Sequence, residues 1–364
     1  MTRVRIAVEP RSYEAVIENG LLSRAGTLLR DVFPDRKRCF VVTVPAVSRK
    51  WGRRLSGSLA SAGWATKILT MPEGERYKSL ATLEKLAEQL TRAGADRTAV
   101  VLAFGGGVVG DVAGFLASVY MRGVDVVQVP TTVVAQVDAS VGGKTGVNLR
   151  AGKNLVGTFH QPRLVIIDPE VLATLPDREY RSGLYEALKC GVIGNAELFA
   201  RMQANREKIL QRDPVELEYL IAESVKLKAA VVSADERENG LRRVLNFGHT
   251  IGHALESQTG YKHFLHGEAV GWGMIAASLI AAAVKKTDEP TAKRISSVTA
   301  SLGPLPKVNV APSKILRSLQ ADKKTRNGVV HFVLPREIGK VEIVDGVPES
   351  VVLDAIKQLR VLSR

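Results

Sequence analysis

Residues 98–121 read TAVVLAFGGGVVGDVAGFLASVYM. The opening TAVVLAF is apolar throughout and rich in β-branched side chains, as expected of a strand covered on both faces. Three glycines follow, and then VVGDVAGFLASVYM with helical spacing. Gly105, Gly107 and Gly110 match the pattern G-x-G-x-x-G. In a strand–turn–helix setting such glycines let a pyrophosphate approach the backbone, and the helix N-terminus offers it unpaired N–H donors. The competing account is a tight turn that needs positive φ. An acidic partner for a ribose is expected roughly 20 residues further on, at a strand end. Asp125 lies near that distance but opens its strand, so the loop is a variant of the dinucleotide type.

Outward from this stretch, the first half of the chain alternates short apolar runs with amphipathic ones. RCFVVTV, ATKILTM, VDVVQVP and RLVIID read as further strands. Helices are expected from about Val47 to Ala62 and over KSLATLEKLAEQLTRAGA, with a stop at Gly94. RVRIAVEPRSYEAVIENG looks like a hairpin joined to the same sheet. The alternation implies a largely parallel sheet with helices on both faces. Pro130–Pro162 is weakly periodic and carries Gly, Lys and Asn, which suits a long binding loop. After Asp168 helical periods dominate, with one late hairpin (VVHFVLP and KVEIVDG) and a closing helix. The expected architecture is therefore an α/β nucleotide-binding domain over residues 1–169. A mostly α-helical metal- and substrate-binding domain follows over 170–364.

Composition narrows the function. The chain has 364 residues, 45% of them apolar and 24% charged, with two cysteines. At roughly 150 residues per domain this favours two domains and excludes a disordered chain or a disulfide scaffold. No apolar run approaches the roughly 18 residues of a membrane span, and the N-terminal stretch lacks a secretory apolar core. A cytoplasmic protein that binds no membrane is expected. The net charge is +14, half of it from residues 1–60, which carry 12 basic and 5 acidic side chains. Those charges interrupt apolar periodic segments and form no block. They read as a solvated surface that binds no nucleic acid.

Four of the six histidines fall between His249 and His266. His249 and His253 are four apart in a helical stretch and share a face, so spacing nominates them as a ligand pair. His263 and His266 follow a short loop. Clustered imidazoles beside a carboxylate suit Zn²⁺; the candidate carboxylates are Glu186, Glu256 and Glu268. Spacing leaves open which histidines are ligands. Lys144, Lys153, Asn154, Lys189, Lys228, Arg242 and Asn246 add cationic and amide groups suited to a substrate with more than one negative group.

EGERYKS (73–79), GGGVVGD (105–111), PTT (130–132), VDASVGGKTGVN (137–148), the pair Lys153–Asn154, GLYEALKCGVI (183–193), LNFGHTIGHALE (245–256) and HGE (266–268) together resemble the 3-dehydroquinate synthases, which are sugar-phosphate cyclases. The resemblance implies a homodimeric enzyme of the shikimate pathway to aromatic amino acids, a phosphate-eliminating lyase. It would use NAD catalytically with Zn²⁺ or Co²⁺ to convert 3-deoxy-D-arabino-heptulosonate 7-phosphate into 3-dehydroquinate and phosphate. The implied course is transient oxidation, phosphate β-elimination, re-reduction, ring opening and intramolecular aldol closure. Carried over residue by residue, the metal ligands fall on Glu186, His249 and His266, which makes His253 a substrate contact. NAD contacts fall on Glu73, Gly74, Glu75, Arg76, Tyr77, Lys78, Gly107, Val108, Val109, Gly110, Asp111, Thr131, Thr132, Lys144 and Lys153, and Lys153 lies between cofactor and substrate. Asp138 and Lys189 fall near the reacting hydroxyls. Lys144, Asn154, Asn246 and His253 fall on the phosphate, with Arg122 reaching in from the other subunit. Lys228 and Arg242 fall on the carboxylate. Lys189, Asp138, Lys153, His253 and Asn246 form the implied catalytic set, and Lys323 or Lys324 would close over the phosphate. Where some members carry an acidic residue at the end of the second strand, this chain has Val44.

Overall fold

The computed structural model describes residues 1–238, 240–325 and 330–363, the side chains of 321–325 excepted. The strands are β1 (Thr2–Ile6), β2 (Tyr13–Ile17), β3 (Arg38–Thr43), β4 (Ala65–Thr70), β5 (Val100–Gly105), β6 (Asp125–Pro130), β7 (Lys144–Leu149), β8 (Gly152–Phe159), β9 (Leu164–Ile167), β10 (Phe332–Glu337) and β11 (Lys340–Val344). The helices are α1 (Ala25–Val32), α2 (Pro45–Ser61), α3 (Leu80–Arg92), α4 (Gly107–Val119), α5 (Asp177–Gly194), α6 (Ala196–Ala204), α7 (Arg206–Leu210), α8 (Pro214–Ala234), α9 (His249–Gln258), α10 (His266–Ala283), α11 (Glu289–Ser301), α12 (Pro312–Thr325) and α13 (Glu349–Leu362). Two compact units result: Met1–Pro176 with Leu217–Arg237, and Asp177–Glu216 with Glu238–Arg364.

The first unit is built on a seven-stranded sheet in the order β1-β2-β9-β6-β5-β3-β4. Every pairing is parallel except β1 with β2, the expected hairpin. Strand alternation divides the core between the two faces. Val41, Leu102, Phe104 and Val127 pack with Leu29, Leu55 and Leu59 of α1 and α2. Phe40, Val42, Val101 and Val126 pack with Leu86, Leu90, Val112 and Leu116 of α3 and α4. Ser79 starts α3 by accepting the Thr82 N–H at 3.3 Å. Gly94, at φ +71°, ends it. The order reverses between β3 and β5, and the glycine turn leaves the C-terminal end of β5. In open α/β sheets that is where ligands bind.

Two expectations are corrected here. Residues 130–162 are no long loop: a π-helical turn (Ala135–Ala139) is followed by the antiparallel hairpin β7–β8. Gly146 and Gly157 make that hairpin possible, because a Cβ on Gly157 would lie 2.0 Å from the Thr145 carbonyl oxygen. Residues 217–237, assigned by sequence to the second domain, cluster with the first unit. Ser233 Oγ accepts the Ala7 N–H at 2.9 Å, Glu218 accepts the Asn19 N–H at 3.3 Å, and Lys228 pairs with Asp138. A linear division near residue 170 cannot register such a return of the chain.

In the second unit α10 is apolar on all sides and is enclosed by α5, α9, α11, α13 and β10. Glycines set how closely it packs. A Cβ on Gly267 would lie 1.8 Å from the Ser182 carbonyl oxygen of α5. One on Gly273 would lie 1.7 Å from the Gly248 oxygen at the start of α9. Among the described residues no helix is long and apolar enough to cross a membrane. Cys39 and Cys190 are both buried.

Gly267→Ala is expected to lower unfolding free energy by about 3 kcal/mol or more, since backbone must move to admit the methyl group. Gly57→Ala, on exposed α2 with nothing within 4 Å of the new Cβ, should stabilise by about 0.5–1 kcal/mol. Denaturant titration of both variants checks this. Equal effects would contradict the close helix approach.

Candidate active site

In the first unit the glycine turn works by close packing. None of Gly105, Gly106, Gly107 and Gly110 has positive φ, which removes the tight-turn account. A Cβ on Gly105 would meet Val109 at 2.6 Å, and one on Gly110 would meet the Gln128 amide oxygen at 2.9 Å. Gly106 precedes α4 with no side-chain cap, so the helix N-terminus is bordered by bare backbone. Beside it Thr131 donates its N–H to the Gly105 carbonyl at 2.9 Å. Thr132 Oγ1 accepts the Ala135 N–H at 3.2 Å.

Lys78 organises the neighbouring groups. Its side chain is 5% exposed, and its ammonium pairs with Asp111 of α4 and donates to Asn154 Oδ1 at 2.5 Å. Asn154 itself has φ +56°, and its N–H bonds Asn148 Oδ1 at 2.9 Å. Asn148 in turn donates to Glu75 at 2.8 Å. Glu73 accepts the Ala46 N–H at 2.9 Å, at the start of α2 beside Val44. Gly74 has φ +105°, and the Arg76 guanidinium stacks on the Tyr77 ring at 4.7 Å. Removal from water pushes the Asp111 carboxyl up, against the pull of Lys78. Val108 and Val109 occupy the first turn of α4. Asp138, on the π-helical turn, accepts from Lys228 at 2.6 Å, and Lys228 also donates to the Asp138 carbonyl. Lys144 opens β7 and is exposed, and Lys153 on β8 is half-buried. Arg122 follows α4 with φ +69°.

In the second unit α5, α9 and α10 bring acid and imidazole together. Both Glu186 carboxylate oxygens are buried, and neither has a donor in hydrogen-bonding geometry. Around them stand the Lys189 ammonium at 2.5 Å, His266 Nε2 at 3.4 Å and His249 Nε2 at 3.8 Å. His249 donates Nδ1–H to the Phe247 carbonyl at 3.1 Å, which turns Nε2 toward Glu186. His266 Nδ1 faces Glu256 at 3.2 Å. Ligating atoms of His249, His253 and His266 lie within 4.8 Å of one another.

Burial holds the His249 imidazole well below its usual range, and Lys189 adds to this. Burial also opposes ionisation of Glu186, but Lys189 and the imidazoles outweigh it and hold the carboxyl well below its usual range. Burial works against a charge on His266 too, yet Glu186 and Glu256 lift it to about 10. A buried carboxylate faced by inward-turned imidazole nitrogens is a set of groups that could hold a divalent cation. The spacing-based pair His249–His253 is thereby widened: His266 shares the cluster, and Glu186 faces His249 and His266.

Arg242 is 3% exposed in the turn before α9, and Asn246 donates to Glu238 at 3.0 Å. Glu238 escaped the sequence reading because ADERE looks like the solvated end of a helix; its φ of +61° marks it in the structure. Glu268 binds Arg178 through two bonds, 2.7 and 2.8 Å, and accepts the Leu265 N–H. That grip holds the segment carrying His266. The Lys323 and Lys324 side chains lie outside the described residues.

Residues 68–182 match the profile of the 3-dehydroquinate synthase N-terminal region, and residues 183–325 that of the C-terminal region. The chain belongs to the 3-dehydroquinate synthase family. A 3-dehydroquinate synthase of Koribacter versatilis (strain Ellin345) is 54% identical over 363 residues, which is 100% of this chain and 99% of the relative. Among solved structures, ValA (2-epi-5-epi-valiolone synthase) from Streptomyces hygroscopicus subsp. jinggangensis 5008, with NAD⁺ and Zn²⁺ bound, superposes with a TM-score of 0.88. It is 31% identical, over 97% of this chain and 98% of its own. A 2-deoxy-scyllo-inosose synthase complexed with carbaglucose-6-phosphate, NAD⁺ and Co²⁺ gives a TM-score of 0.87 at 26% identity, covering 98% and 99%. The expected class, a parallel-sheet α/β domain with a helical second domain, is the one these structures share with the chain.

A double-mutant cycle tests the Lys78 network. Asp111→Ala should cost about 3 kcal/mol by leaving a buried ammonium without its counter-ion. In the Lys78→Met background the same change should cost far less. Additive effects in denaturant unfolding would show that the two groups do not interact.

Proposed function

We propose that this protein is a 3-dehydroquinate synthase. It converts 3-deoxy-D-arabino-heptulosonate 7-phosphate into 3-dehydroquinate and inorganic phosphate, and so acts as a phosphate-eliminating lyase of the shikimate pathway. The observation that carries the proposal is the Glu186 carboxylate: fully buried, paired with Lys189, and faced by the Nε2 atoms of His249 and His266 in a chain of this family. Those three residues would hold the divalent cation, zinc or cobalt as in the solved relatives. Glu73–Lys78, Gly107–Asp111, Thr131 and Thr132 would hold NAD. When bound, the cofactor supplies a reversible hydride acceptor and the cation a Lewis acid that eases ionisation of an alcohol.

The chain's own groups then have definable tasks. Lys189, paired with Glu186, places a positive charge where negative charge develops on a substrate oxygen. Asp138 and Lys228, already paired with each other, offer an acceptor and a donor to the sugar acid. Arg242 is a fixed, permanently charged partner for its carboxylate. Lys144, Lys153, Asn154, Asn246 and His253 are assigned to the phosphate. Held against the adjacent C–H, the departing phosphate can itself take the proton. The Asn246–Glu238 bond fixes the amide that would face it.

The protein is further proposed to be a cytoplasmic homodimer. Leu80, Val119 and Met121 are 46, 45 and 43% exposed and line one surface hollow; Met121 directly precedes Arg122, the residue that would enter the neighbouring subunit's site. A second copy would cover this apolar surface. Two buried cysteines, far apart in sequence, suit a reducing compartment.

Incubation with the heptulosonate phosphate, NAD⁺ and zinc should yield dehydroquinate and phosphate in equal amounts, with no build-up of NADH. Phosphate release without NAD, or steady NADH accumulation, would contradict the assignment. His266→Ala should lose most bound metal, whereas His253→Ala should keep it and lose turnover. Metal analysis of the purified variants checks this, and equal metal loss in both would overturn the ligand set.

A further inference from the structure

Glu256 is 4% exposed on α9, two helical turns after His249 and on the same face. The roles assigned above leave it without a task. Its Oε2 stands 3.2 Å from His266 Nδ1, while the Nε2 of that ring faces Glu186 at 3.4 Å. His249 has the corresponding arrangement with a backbone partner, since its Nδ1–H is held by the Phe247 carbonyl. Both imidazoles are thus turned by an acceptor on Nδ1 so that Nε2 points at one carboxylate. The difference between the acceptors is charge. A carboxylate behind an imidazole fixes its orientation and raises its basicity as a ligand.

We infer that Glu256 is a positioning residue for the cation site: it orients His266 through Nδ1 and supplies a second negative charge to the cluster. This rests on the metal-dependent reading above. Glu186 faces Nε2 of His266 and Glu256 faces its Nδ1, so the ring stands between two buried carboxylates. The placement is rigid. His249 and Glu256 share one short helix. A Cβ on Gly252, between them, would lie 2.9 Å from the Ala269 carbonyl oxygen of α10, so α9 and α10 meet at backbone distance where His266 begins α10. One helix therefore contributes a ligand directly and aims a second ligand that stands on its neighbour.

The test compares Glu256→Gln and Glu256→Ala with the unmodified protein. Each is stripped of metal, checked for folding by far-UV circular dichroism, and titrated with zinc against a competing chelator. Glu256→Gln keeps the volume and an acceptor but not the charge, and should weaken zinc binding by about tenfold. Glu256→Ala should weaken it by up to about a hundredfold. The visible absorption of the cobalt-loaded protein should change in Glu256→Ala, and excess zinc should restore most turnover to Glu256→Gln. Zinc affinity within twofold of the unmodified protein and an unchanged cobalt spectrum would overturn the inference. If Glu256→Ala does not fold, the isosteric Gln variant decides by the same criteria. Failure of the unmodified protein to bind zinc would instead strike the metal-dependent reading, and the inference with it.

Discussion

Backbone contact between helices is the constraint on which the helical unit depends. Gly267 lies against the Ser182 carbonyl, Gly273 against that of Gly248, and Gly252 against that of Ala269. Larger residues would hold α5, α9 and α10 apart. Glu186 stands on α5, His249 on α9 and His266 on α10, so an added methyl at any of these contacts separates the proposed ligands. The apolar wall of α10 supplies the burial that makes the approach favourable. The same burial strips Glu186 of water, and a desolvated carboxylate requires positive charge close by. Lys189 provides part of it. The imidazoles, directed inward by Phe247 and Glu256, prepare the place for the remainder.

The α/β unit meets a related problem by a different route. Its sheet buries nearly continuous apolar strands, and its glycine turn at the order reversal lets strand, turn and helix pack without side chains between them. Charge enters this unit in pairs. Lys78 with Asp111, and Lys228 with Asp138, are ion pairs whose lysines are almost wholly buried. Such pairs add little net stability, and their value lies in position. Lys78 draws the 73–79 turn, α4 and the β7–β8 hairpin to a single ammonium. Asp138 fastens the returning helix α8 to the π-helical turn.

Much of this was legible in the residues. Buried strands such as VVLAFG and VVTV declare a parallel sheet because no polar face interrupts them, and Gly94 stops α3 where its periodicity ends. The histidine cluster was visible as a density of imidazoles. The place of His266 beside His249 was not, because period 3.6 places His249 beside His253 but carries no information about α10. The β7–β8 hairpin was missed because Gly146 and Gly157, which admit the close strand contact, also weaken the alternation that announces strands. The return of residues 217–237 to the first unit depends on Ser233, Glu218 and Lys228 finding partners more than 80 positions away, and no local pattern encodes that. The sequence marks Glu256 and Glu268 only as carboxylates near histidines. Their separate partners, His266 Nδ1 and Arg178, are tertiary facts.

The account stands or falls on one cation being shared by three helices. Anomalous diffraction at the zinc edge from crystals of the zinc-loaded protein tests it most directly. The expected result is a single strong peak bonded to a Glu186 oxygen and to the Nε2 atoms of His249 and His266, with His253 outside the coordination shell. A peak bonded to His253 in place of Glu186 or His266, or one remote from α5, would contradict it.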